Sequence, residues 1–319
     1  MIAMLCLSGF LISCQTKTAN KTIKLAHGLP TTHPVHLAIE HMAAQLEAIS
    51  LGAMRMEVYP SEQLGTERQC LELLQLGAVG MTKVSASVME NFSPKMKALS
   101  LPYIFRDTAH FHRTLDGPVG EQLLAASSKY LLKGMAFYDA GSRSFYGDKP
   151  IMHPDDLDGL KIRVQESQTA IDLVNNLGGK ATPISWGELY SALQQGTVDG
   201  AENNPPSLYQ SRHYEVCKHY SLNEHTMVPD VLVMSLKVWN KLSDQEQNWV
   251  QAAVRSSVQF QRMAWQKSEA ETLIALEEGG VSIYRPDKTP FSTKVEPMYA
   301  AYQQDEEMYR LIQAIRNQP

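Results

Sequence analysis

Cysteine is nearly absent from this chain: four in 319 residues, at Cys6, Cys14, Cys70 and Cys217. That excludes a disulfide-built scaffold, and no spacing among the four suits a zinc site. Cys70 and Cys217 stand far apart in apolar patterns and read as buried free thiols. A block of basic residues is missing too. The net charge is −5 with both signs interspersed, so neither nucleic acid nor an anionic membrane surface is an expected partner. No run reaches the ~18 consecutive apolar residues of a membrane-spanning helix. The linear signatures of common enzymes are lacking as well: no GxSxG, HExxH, Cys-x-x-Cys, P-loop or GxGxxG. Gly178-Gly179-Lys180 has no upstream glycine to complete a phosphate loop. Paired carboxylates leave no linear signature, so a sugar-acid lyase or hydrolase built on Asp139, Asp199 and Glu202 stays open at this stage.

What is present begins with MIAMLCLSGFLISC, residues 1–14, which is apolar, uncharged and too short to span a bilayer. It reads as a secretory signal whose Leu11-Ile12-Ser13-Cys14 forms a lipobox, with Cys14 as the lipidation site. A non-lipidated signal and a buried N-terminal strand are the alternatives. Residues 15–20 read as a polar tether.

Strand and helix patterns then alternate. Short strands are predicted at Ile23–His27, Met54–Val58, Val79–Ser85, Gly134–Tyr138, Leu160–Gln165 and Thr197–Glu202. Between the first two, Val35, Ala38, Ile39, Met42, Leu46 and Ile49 recur at helical spacing after Pro34, a first-turn proline. Thr66 and Gln69 form a capping box for a helix that Gly77 ends. Ser167 caps a helix closed by Gly178, and Gly187–Gln195 is another helix. From Ser243, capped with Glu246, a helical pattern runs to Glu278. That is about 52 Å at 1.5 Å per residue, long enough to brace two domains. The alternation predicts an α/β fold with mixed, mainly parallel sheets.

Three segments carry chemistry. GLKIRVQ (Gly159–Gln165) is a short strand with one guanidinium, Arg163, in a largely apolar run. A guanidinium is a planar fork that can hold a carboxylate by two parallel hydrogen bonds. TVDGAENNPP (Thr197–Pro206) is rich in carboxamides, which both donate and accept. YPSEQLGTERQ (Tyr59–Gln69) places acids at the start of a helix. Periodicity alone reads Arg163 as a solvated edge residue or an ion-pair partner.

Together these segments resemble the solute-binding proteins of TRAP transporters, extracytoplasmic receptors that deliver organic acids to a membrane permease. The resemblance runs from about Lys21 to the end. It implies a two-lobed periplasmic-binding-protein fold. Lobe one would hold residues 21–140 with 229–267, and lobe two residues 141–228 with 268–319. It implies Arg163 as the bidentate grip on a ligand carboxylate and Arg143, in AGSRSFYG, as a second arginine at the site. Asn203 in DG-x-EN becomes a ligand contact, while Asn204 better suits a helix cap. Glu67, with Glu62 next in line, would bond ligand hydroxyls. His27 and His33, in the loop AHGLPTTHP, would border the pocket. Lys83 and Ser85 sit at a strand's carboxyl end, Trp186 offers a flat wall for a sugar ring, and Tyr209 is a further wall. Each has a bland alternative: a turn arginine, a first-turn acid, a capping histidine, a core tryptophan, a solvated lysine. SWGELYSALQQGTVDGAENNPP resembles the branch that takes hexuronates such as glucuronate or galacturonate. Sialic acid comes second, then 2-oxo acids and C4-dicarboxylates. No cofactor or metal is implied. The implied setting is the bacterial periplasm, with membrane attachment through Cys14.

Overall fold

The apolar periodicities resolve into two mixed sheets, each flanked by helices. The computed structural model describes residues 21–319. The signal, the Cys14 lipobox and the tether expected over residues 1–20 lie outside these.

The first lobe is built from β1 (Lys21–Ala26), α1 (Pro34–Ile49), β2 (Met54–Tyr59), α2 (Glu67–Leu76), β3 (Met81–Ser85), α3 (Ala86–Met89), α4 (Thr108–Asp116), α5 (Pro118–Ala126) and β4 (Leu132–Tyr138). The chain crosses into the second lobe, which carries β5 (Arg143–Gly147), β6 (Lys161–Val164), α6 (Gln168–Leu177), β7 (Lys180–Pro183), α7 (Trp186–Gln194), β8 (Gly200–Asn203), α8 (Pro205–Gln210) and β9 (His219–Thr226). It returns through β10 (Asp230–Ser235) and α9 (Leu236–Trp239). Then come α10 (Asp244–Glu278), β11 (Ser282–Tyr284), α11 (Thr289–Val295), α12 (Pro297–Ala300) and α13 (Glu306–Arg316). The first sheet has the order β2-β1-β3-β10-β4 and the second β11-β9-β5-β8-β6-β7. Strands β1, β2 and β3 pair in parallel, as do β6 with β7 and β8 and β11 with β9. The strands at the crossings, β5 and β10, run antiparallel to both neighbours.

Local chemistry sets the helix ends. Thr66 and Gln69 bond reciprocally as a capping box, and Gly77 closes α2 at φ 81°, where a side chain would be strained. Ser243 and Glu246 make the same box for α10, which runs 35 residues unbroken. Val250, Val254 and Trp265 of that helix join the first lobe's core, and Leu276 joins the second lobe's. One rigid rod therefore packs on both lobes.

The C-terminus departs from the expected division. Helix α13 leaves the second lobe and returns to the first. Met308, Leu311, Ile312 and Ile315 are buried in the first lobe's core with Leu99, Phe111 and Leu123. Arg106 fixes the end by donating to the carbonyls of Arg316 (2.8 Å) and Gln318 (2.6 Å). The amphipathic pattern of this segment favours a helix but does not say which core receives it. Deleting residues 305–319 is therefore expected to destabilise the first lobe by several kcal/mol, since each buried aliphatic side chain contributes about 1.5–3 kcal/mol. The urea midpoint followed by tryptophan fluorescence checks this; an unchanged midpoint contradicts the docking.

Candidate functional site

A narrow cleft between the lobes holds a cavity of about 50 Å³. Strand carboxyl ends open into it, where α/β sheets present ligands. Arg163 enters from β6, paired with Thr182 of β7 and Ala201 of β8. It is 2% exposed, whereas Lys161 on the same strand is in solvent. The Arg163 Nε donates to the Ile184 carbonyl at 2.8 Å. Its guanidinium carbon lies 5.6 Å from the centre of the Trp186 ring, a cation–π contact. Nη1 is buried and has no hydrogen-bond partner. Among the described residues no carboxylate forms a salt bridge with it. Burial pulls its pKa below the usual arginine value, as expected of a cation without its counter-ion.

Arg143 also borders the cleft, but it is not a second waiting cation. Its Nε donates to Glu202 Oε2 at 2.6 Å and its Nη2 to Glu202 Oε1 at 2.7 Å, a bidentate pair set by the β5–β8 register. Burial works to raise the Glu202 pKa, but the adjoining Arg143 charge wins and holds it at about 2. The anion that Arg143 needs is thus internal. Its Nη1 donates to Asn203 Oδ1 at 2.9 Å. Asn203 Oδ1 also accepts from the Asn204 N–H at 2.9 Å, which fixes the amide at the edge of the cleft. Asn204 caps α8 by accepting from the Ser207 N–H at 2.8 Å.

Lys83, Glu67 and Asp230 form a second buried group. The Lys83 Nζ donates to Glu67 Oε1 at 3.1 Å and Asp230 Oδ1 at 3.2 Å. Burial opposes the lysine's charge, but the two carboxylates hold its pKa up. Glu67 Oε2 accepts from the Ser85 N–H at 3.2 Å, and Ser85 Oγ reaches Gln165 Oε1 of the other lobe at 3.3 Å. Lys83 is therefore a paired structural cation on the cleft wall and not a free grip.

The histidines divide. His33 caps α1 by accepting from the Val35 N–H at 3.2 Å, and its Nε2 meets Ser207 Oγ across the cleft at 3.3 Å. Burial keeps it neutral, so Nε2 carries the proton. His27 does not reach the cleft; it packs behind the loop, with Nε2 3.0 Å from His36 Nδ1. Tyr209 does not reach it either: it stacks on Tyr214, ring centres 5.0 Å apart. Trp186 does form a wall, backed by His213 with ring centres 5.0 Å apart. Asp230 was not expected at the site, and Glu202, considered only as a catalytic acid, serves as the counter-ion of Arg143. The signal for Asp230 is a lone acid opening the apolar strand DVLVMS. Among the described residues no group of three or more His, Cys, Asp or Glu side chains is placed to hold a metal ion.

The two arginines should differ in the absence of ligand. Arg143→Leu strands the buried Glu202 carboxylate and is expected to cost about 3–5 kcal/mol. Arg163→Leu removes a charge with no ionic partner and should leave stability unchanged or higher. Urea unfolding of both variants reads this out; equal losses would show that Arg163 is paired like Arg143.

The family described as bacterial extracellular solute-binding protein, family 7, matches residues 25–305. An uncharacterized protein of Salmonella typhimurium is 38% identical over 297 residues, covering 92% of this chain and 90% of that protein. A TRAP periplasmic solute-binding protein of a Bradyrhizobium species, solved with α/β-D-galacturonate, is 40% identical at a TM-score of 0.91, covering 93% of this chain and all of that one. Another from Anaerococcus prevotii, solved with α/β-D-glucuronate, is 33% identical at a TM-score of 0.91, covering 93% of this chain and 97% of that one.

Proposed function

The chain belongs to family 7 of the bacterial extracellular solute-binding proteins, and from that premise we propose that it is the receptor of a TRAP transporter for a hexuronate such as D-galacturonate or D-glucuronate. The observation that carries this reading is the buried, unpartnered Nη1 of Arg163 in the interlobe cleft. One free guanidinium calls for one carboxylate. Arg143 and Lys83 already hold protein carboxylates, so a second ligand carboxylate would meet no free cation. It would instead face Glu62, Glu67 and Asp230, which suit hydroxyl hydrogens. Trp186 offers a flat apolar surface to a pyranose ring. A sugar with a single acid group fits this balance, and a C4-dicarboxylate does not.

In this proposal the protein works as a receptor and not as an enzyme. The ligand carboxylate pairs with Arg163, the lobes shut around it, and exclusion of water strengthens the pair. The closed form is then read by the membrane permease that the family's transporters use.

The test is a thermal-shift screen of residues 21–319 against uronates, aldonates, sialic acid, 2-oxo acids and dicarboxylates. A ligand at a thousandfold excess over Kd stabilises the folded state by about 4 kcal/mol. A large shift with a hexuronate and none with succinate is expected, and Arg163→Ala should abolish it. A shift with succinate comparable to that with hexuronate would overturn the reading.

We also propose that Cys14 of the LISC motif is lipidated and tethers the receptor to a membrane. Cys14→Ser should move the full chain into the soluble periplasmic fraction; unchanged fractionation would refute the anchor.

A further inference from the structure

Glu62 stands out within the cleft. It sits in the β2–α2 loop of the first lobe, and both Glu62 (φ 58°) and Ser61 (φ 53°) adopt the left-handed conformation that side-chain-bearing residues avoid. Backbone bonds impose this: the Ser61 N–H donates to the Leu29 carbonyl at 3.1 Å, and the Glu62 N–H to the His27 carbonyl at 3.1 Å. Strain of this kind gathers where a side chain must be aimed.

The aim is across the cleft, at the N-terminus of α7 in the second lobe. That helix has no side-chain cap of its own; the Ser185 hydroxyl donates to Glu188 Oε2 at 2.6 Å. The Glu62 carboxylate lies against the start of α7, where burial raises its pKa and the nearby Gly187 N–H only partly offsets that rise. A Cβ on Gly187 would stand 2.3 Å from Glu62 Oε2, and one on Gly28 would stand 3.3 Å from Glu62 Cγ. Two glycines, one from each lobe, leave room for this one side chain. Its other oxygen, Oε1, is buried and has no hydrogen-bond partner. It shares the cavity with the unpartnered Nη1 of Arg163. A buried acceptor and a buried donor, both without a protein partner, fit an acid that also carries a hydroxyl.

We propose that Glu62 determines specificity and reports closure together: one carboxylate oxygen caps α7 from the opposite lobe, while the other accepts a ligand hydroxyl hydrogen. Only a hydroxylated acid then satisfies both lobes of the closed cleft. Burial shifts the Glu62 pKa upward, which marks a carboxylate in need of a further donor. This inference rests on the hexuronate reading.

Calorimetric titration with D-galacturonate and with tetrahydropyran-2-carboxylate, the same kind of ring acid without hydroxyls, separates the possibilities. The wild type should prefer galacturonate strongly. Glu62→Gln exchanges a charged acceptor for a neutral amide and should weaken galacturonate about 10- to 100-fold while leaving the hydroxyl-free acid nearly unchanged. Gly187→Ala obstructs the cap and should weaken both ligands alike and reduce the ligand-induced compaction seen by X-ray scattering. A wild type that binds galacturonate, with Glu62→Gln within twofold of it, overturns this inference alone. Equal weakening of both ligands by Glu62→Gln also overturns it, because that is the mark of a structural role. A wild type that takes neither ligand overturns the hexuronate reading and this inference with it.

Discussion

A buried guanidinium without a counter-ion is the constraint around which the cleft is arranged. Arg163 is fixed by the Ile184 carbonyl and the Trp186 ring, but neither neutralises its charge. Burying a charge in this way is unfavourable unless a partner arrives. The neighbouring polar groups do not supply one. They are tied to each other: Arg143 to Glu202, and Lys83 to Glu67 and Asp230. Internal pairing of every cation but one makes the cleft selective for a single anionic group. Had Glu202 lain within reach of Arg163 instead of Arg143, the site would have been filled by the protein itself.

Both lobes contribute to that arrangement, so lobe geometry and recognition are one problem. Arg163, Asn203 and Trp186 come from the second lobe; Glu62, Glu67 and Lys83 come from the first. The strands at the crossings, β5 and β10, run antiparallel in otherwise largely parallel sheets, and they carry Arg143 and Asp230. The residues nearest the crossings are therefore held by sheet hydrogen bonds on both sides. Those farther out, such as Glu62, stand on loops.

How much of this the sequence carries depends on the range of the interaction. Helix ends were legible because their causes are local: Thr66 with Gln69, Ser243 with Glu246, glycine at 77 and 178 in the left-handed region. Arg163 stood out only through its resemblance to a family motif, because its strand spacing equally fits a solvated edge. The strands β5 and β10 were missed; both their faces are buried, so neither alternates as a half-exposed strand does, and the equally buried β3 and β8 were read from their apolar runs and flanking turns instead. The Arg143–Glu202 pair spans 59 positions and depends on β5–β8 register, which no local pattern encodes. The same limit hid the docking of α13 and the placement of Tyr209 against Tyr214. It also made His27 look like a wall residue, when its bond to His36 serves the loop behind the wall.

The long helix α10 turns these separate facts into one mechanism. It packs on the first lobe through Val250, Val254 and Trp265 and on the second through Leu276, so any relative motion of the lobes must bend it or slide along it. Trp265 also borders the cleft, with its indole N–H buried and without a partner. A ligand or an ordered water that meets it would satisfy an otherwise costly buried group. The helix that braces both lobes is thus also part of the cleft wall.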